Sequence, residues 1–123
     1  DGRWRNHAWT VKVDTDAVWF PARLPGHTGG LNPAGIWWIK GGDMLLGPIE
    51  VFSNGAVMAF ADHDVCKYGI EVTGEDGFIN HCMELLEGHV KVDGNILSSN
   101  DNPGSCGNGA FVAFHPFKNV SVF

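Results

Sequence analysis

A β-sandwich is the fold class this sequence predicts, on three grounds: a composition poor in helix formers, apolar residues that alternate with polar ones, and closely spaced turn signals. The 123 residues include 17 Gly and 6 Pro. Val, Phe, Trp and Ile carry most of the apolar content, and runs of Ala, Leu, Glu or Lys are few, a balance that favours strands over helices. A chain of this length is expected to form one domain, residues 1–123, with enough core to fold without a metal or disulfides.

Taken in order, Trp9, Val11 and Val13 alternate with Thr10 and Lys12, the period of a half-buried strand. The same alternation recurs at Ile70 and Val72 around Glu71, at Val90 and Val92 around Lys91, and at Val120 and Phe123 near Ser121. Residues 17–24, 35–39 and 56–61 are apolar on both faces, as expected of strands inside a sandwich. Turns are signalled at Pro25-Gly26, Gly29-Gly30, Gly41-Gly42-Asp43, Gly47-Pro48, Asn54-Gly55, Asp76-Gly77, Asp93-Gly94 and Pro103-Gly104, where Gly, Pro, Asn and Asp supply the backbone angles turns need. Asn54-Gly55 is the sharpest, and predicts a two-residue hairpin joining the strand Ile49-Glu50-Val51-Phe52 to the apolar run after it. Residues 80–88 read equally well as a helix of about two turns or as a strand.

Charge excludes one class of partner. The net charge is −6, and the eight Lys and Arg residues are scattered, so nucleic acid is not an expected partner. Apolar stretches are too short for insertion into a bilayer, and no basic-then-apolar leader stands at the start. Opening on Asp1 rather than Met, the chain is expected to be a processed or trimmed soluble product, with secreted and cytoplasmic locations both open. Three cysteines, Cys66, Cys82 and Cys106, are too few for a disulfide-built scaffold. A Cys66–Cys82 bridge is one option. The sequon at Asn119 sits in an expected strand and is weak evidence of glycosylation.

The segment with most chemistry is Asn100-Asp101-Asn102-Pro103-Gly104-Ser105-Cys106-Gly107-Asn108-Gly109. Asp101, Asn102, Ser105 and Asn108 offer oxygens on a loop whose glycines let the backbone curl, an arrangement suited to Ca2+. The same residue types also build metal-free turns.

This loop resembles the calcium loop of the small soluble galactose-binding lectins of bacteria, where an Asn-Asp-x-Pro-Gly-Thr-x-Gly-Asn pattern precedes the last strand. Ala8-Trp9, the run from Asn32-Pro33 through Ile36-Trp37-Trp38-Ile39 to Gly47-Pro48, and His63-Asp64 ahead of Gly69-Ile70-Glu71-Val72 match in the same order. The resemblance implies a galactose-binding-domain-like jelly roll acting as a calcium-dependent lectin. Its metal would be held by Asp101, Ser105 and Asn108 and by the backbone carbonyl of Leu46. The ligand implied is a galactose-like or other diol-bearing sugar, with two hydroxyls on the calcium and contacts from Asp101, Asn102, Asn108, His63 and Trp37. The pattern departs at Gly109, where the family has Asn, which implies one oxygen ligand fewer and weaker calcium binding. No His-x-x-Gln segment precedes His63, so the resemblance does not fix the sugar as galactose. Lectins of this kind gain avidity by presenting several sites, and a homo-oligomer is expected.

Other constellations are less specific. His81 and Cys82, as strand neighbours, would point to opposite faces, which argues against zinc. Trp19, Phe20, Trp37, Trp38, Phe52 and Phe60 suit either a core or a ligand pocket. His63 between Asp62 and Asp64 is the one acid–base candidate, with no nucleophile motif to match, so no catalytic residue is assigned. The alternative function is a small lipocalin-like β-barrel enzyme or carrier that holds an apolar ligand in an aromatic-lined cavity. A structural sandwich that binds nothing small is the third.

Overall fold

Strand β4 (Ile49–Ser53) is buried at all five positions, and its alternation sorts the molecule into layers. Ile49 and Val51 pack on one side with Leu24, Ile39, Ile96, Val112 and Ala113. Phe52 packs on the other with Trp38, Leu45, Ala56 and Met83. A strand buried on both faces requires cover above and below its sheet. In the computed structural model, which describes residues 2–42, 45–66, 74–100 and 102–118, that cover is a second sheet on one side and a helical layer on the other.

The first sheet runs β1 (Trp9–Val13), β4, β3 (Trp37–Lys40), β5 (His89–Val92) in spatial order. β1 and β3 flank β4 antiparallel, whereas β5 adds parallel to β3. The second sheet has the order β2 (Val18–Trp19), β7 (Ala113–His115), β6 (Leu97–Ser99). There β2 is antiparallel and β6 parallel to β7. Two mixed sheets therefore form the frame, which agrees with the mainly-β expectation at that level. Three helices are present among the described residues: α1 (Pro25–Thr28), α2 (Asn54–Asp62) and α3 (Glu75–Leu85). None is long and apolar enough to cross a membrane.

Several local expectations are corrected, among them the turn at Asp76-Gly77, which lies in the first turn of α3. Asn54-Gly55 does not turn a hairpin, and residues 56–61 are not a strand; both belong to α2. The reason is Ser53, whose extended backbone and Oγ, accepting from Ala56 N at 3.1 Å, make it the N-cap of a helix. Gly55 serves a close approach: a Cβ there would run into the carbonyls of Ala34 and Gly35. Asn54 donates from Nδ2 to Trp4 O at 3.1 Å and His7 O at 3.0 Å, tying the N-terminal 3-10 turn to the start of α2. Of the ambiguous residues 80–88, those up to Leu85 are helical. A Cys66–Cys82 disulfide, with Cα atoms 5.3 Å apart, fastens α3 to the end of the preceding segment.

The strands expected from residues 17–24 and 35–39 shrink to Val18–Trp19 and shift to Trp37–Lys40, because Pro21 starts a 3-10 turn that ends the first of them. The expected strands at Ile70–Val72 and Val120–Phe123, the sequon at Asn119, Asp43 and the ligand residue Asp101 lie outside the described residues.

Candidate functional site

In the β1–β4 pairing Thr10 lies opposite Phe52 and Lys12 opposite Glu50. Strand geometry puts all four on one face, the face covered by helices. Val57 and Phe60 of α2 and Glu75, Ile79 and Met83 of α3 complete the lining of a half-open cavity of about 200 Å3. Its walls are almost wholly apolar. The exception is Glu50, which is 1% exposed and whose Oε1 has no hydrogen-bond partner.

Lys12 and Glu75 form the charged rim. Lys12 Nζ donates to Glu75 Oε2 at 2.6 Å, and stands 3.6 Å from Glu50 Oε1 and 3.7 Å from Asp14 Oδ1. Both rim side chains are about half exposed, 43% for Lys12 and 55% for Glu75, so their bridge contributes little stability by itself. Burial pushes the Glu50 carboxyl up to about 7, against the pull of the Lys12 charge and with a further push from Glu75 and Asp76. Burial works against the charge of Lys12, but its hydrogen bond to Glu75 and the charges of Glu50, Glu75 and Asp14 outweigh this and raise its pKa. A carboxyl poised near neutrality beside a largely apolar pocket can hold or release a proton, accept from a cation, or donate to a carbonyl.

The residues singled out in the sequence are not gathered here. Asn102 Oδ1 accepts from Gly104 N at 2.9 Å, Ser105 Oγ donates to Asn102 O at 2.6 Å, and Asn108 Oδ1 accepts from Ala110 N at 3.1 Å. These bonds shape a 3-10 turn over Pro103–Gly107. The concave side of the loop holds the Arg23 guanidinium, which donates to the carbonyls of Cys106 (2.9 Å), Phe111 (3.0 Å) and Asn108 (3.2 Å). Leu46 O accepts from Ile49 N at 3.1 Å. His63, exposed, ends α2. Trp37 rests on the His89 ring, centroids 5.0 Å apart. Trp19 packs on the sheet–sheet core, Phe20 meets Phe114 edge-on, and Trp38 is buried in the helix–sheet core. Of the aromatic set only Phe52 and Phe60 line the cavity.

Thr10, Lys12, Glu50 and Glu75 escape a reading of motifs. The available signal is Glu50 itself, a carboxylate inside the strand Ile49-Glu50-Val51-Phe52. Among the described residues two other polar groupings stand out. Asp14, Asp16 and His115 bring ligand atoms within 4.8 Å of one another, on an open depression where Lys118 Nζ stands 3.8 Å from Asp16. His27 Nδ1 lies 2.7 Å from Asp93 Oδ2. Burial would raise the Asp93 pKa, but hydrogen bonds from His27 and Asn95 N, with the charges of His27 and Lys91, lower it. That pair joins α1 to the end of β5. No protein-family model, curated protein or solved structure matches this chain.

Proposed function

We propose that this chain binds a small apolar molecule in the cavity between the β1–β4 face and helices α2 and α3. The observation that carries the reading is Glu50: a buried carboxyl whose Oε1 makes no hydrogen bond and has only the Lys12 ammonium, 3.6 Å away, as an ionic partner, among residues that line an otherwise largely apolar space. A polar atom left so is destabilising by about 1–3 kcal/mol, and a ligand that supplies its partner recovers that energy. A sealed apolar cavity of about 150 Å3 accepts a benzene-sized guest; this one, about 200 Å3 and half open, has room for a single ring or a short chain with one end at the surface. Calorimetric titration with benzyl alcohol tests this. A one-to-one complex with Kd of roughly a millimolar or below is expected, lost when Val57→Phe or Val57→Trp fills the space while circular dichroism stays native. Absence of binding, or binding indifferent to both fillings, sinks the proposal.

Calcium-dependent sugar binding on a jelly-roll frame is the second reading, favoured by the convergence of the carbonyls of Cys106, Asn108 and Phe111. It ranks behind the first because Arg23 already supplies the cation those carbonyls attract. A ligand bound only by the folded state raises the melting temperature. Equal melting temperatures in excess calcium and in excess chelator are expected; a rise of several degrees in calcium would reverse the ranking.

A further inference from the structure

We propose that the ligand is a small primary amine, whose ammonium group pairs with Glu50 while its apolar body lies among Phe52, Val57, Phe60, Ile79 and Met83. The inference rests on the cavity-binding reading and adds to it the chemistry of the head group.

Charge around the cavity decides between head groups. The charged groups acting on Glu50 are Lys12 from β1 and Glu75 and Asp76 from α3, and Asp14, just after β1, lies 3.7 Å from the Lys12 ammonium; the cavity residues of α2, Val57 and Phe60, are apolar. One ammonium is thus shared among several carboxylates, with Glu75 holding it at 2.6 Å and Glu50 left at 3.6 Å. An anionic ligand would add to this excess of negative charge. A neutral alcohol would satisfy one lone pair and leave the charge as it is. A second cation completes the pairing of Glu50 without breaking the Lys12–Glu75 bridge. Charge-assisted bonds of this kind are about twice as strong as neutral ones, and the rings of Phe52 and Phe60 tolerate a nearby ammonium better than aliphatic walls do.

Proton linkage follows from the same geometry. Only ionised Glu50 can pair with an ammonium, and its carboxyl titrates at about 7. Amine affinity should therefore fall by about tenfold for each pH unit below that value, although the amine stays protonated throughout. Binding in that range releases a proton.

Benzylamine and benzyl alcohol, matched in size, separate the possibilities by calorimetry at pH 8 and pH 5.5. The expected result is an amine bound at least tenfold tighter than the alcohol at pH 8, with at least a tenfold loss of amine affinity at pH 5.5 and proton release seen as a buffer-dependent heat. In Glu50→Gln the amine-over-alcohol ratio should collapse toward one. The wild-type pH profile stands as evidence even if that variant folds poorly. Equal binding of the two probes at pH 8, a flat amine profile, or a ratio that survives Glu50→Gln overturns the amine and leaves the cavity reading in place. Binding of neither probe overturns both.

Discussion

Glu50→Met is expected to stabilise the protein at pH 8 by about 2 kcal/mol, or roughly 5–10 °C in melting temperature, and to flatten its pH dependence between pH 5 and pH 7. The sign comes from proton linkage. Glu50 titrates at about 7 when folded and near 4.5 when unfolded, so between those values the folded chain holds a proton that the unfolded chain has released. Stability then declines as pH rises through that window, by up to about 3 kcal/mol when the shift is converted at 1.36 kcal/mol per pH unit, and the whole penalty is present above pH 7. Met fills a similar volume without a charge. Asp93 moves the opposite way: its lowered pKa contributes stability that is present above its unfolded value and lost as pH falls through the folded one. The two contributions occupy separate windows. Urea melts of wild type and variant from pH 2 to pH 8 would measure both, and a variant that is less stable at pH 8, or that keeps the wild-type slope from pH 5 to pH 7, would show that Glu50 carries no buried-charge penalty.

Strand β1 is legible because period-two alternation marks Trp9, Val11 and Val13 as its core-facing side; the same pattern locates β5 although Val90 and Val92 are exposed, and β4, buried on both faces, is read from its apolar run ahead of Asn54-Gly55. Helix α2 is not, since Asn54-Gly55 and the apolar residues after it suit a hairpin as well as a helix. What decides is the Ser53 cap and the tight passage of Gly55 beside Ala34 and Gly35, contacts between elements that only the folded chain defines. Competition for the same atoms explains the loop at residues 100–109. Asn and Ser oxygens that suit a metal also suit their own backbone two or three residues away, and here Asn102, Ser105 and Asn108 bond locally. The cavity depends on register. Glu50 is visible as a charged residue in an apolar strand, but its place opposite Lys12 and beneath Glu75 follows from the β1–β4 pairing and from the packing of α3.

Ser53→Ala should remove about 3 kcal/mol of stability, an unusually large effect for the loss of one oxygen. That oxygen joins three elements. It accepts from Trp37 N of β3 at 2.9 Å and from Ala56 N of α2 at 3.1 Å, and it donates to Gly35 O at 2.6 Å. Ser53 is 0% exposed, so water cannot replace any of these partners, and each buried group left unpaired costs about 1–3 kcal/mol. Losing the N-cap contributes about 1 kcal/mol of that sum. The substitution also loosens α2, which carries Val57 and Phe60, so benzyl alcohol affinity should fall in parallel under conditions where the variant remains folded. Ser99→Ala, at an exposed strand end, serves as the comparison and should change stability by no more than about 0.5 kcal/mol. Urea denaturation with an unchanged slope and a lower midpoint for Ser53→Ala is the expected pattern. A loss below about 1 kcal/mol would mean that the three partners find other bonds, and that the wall of the cavity does not depend on Ser53 for its position.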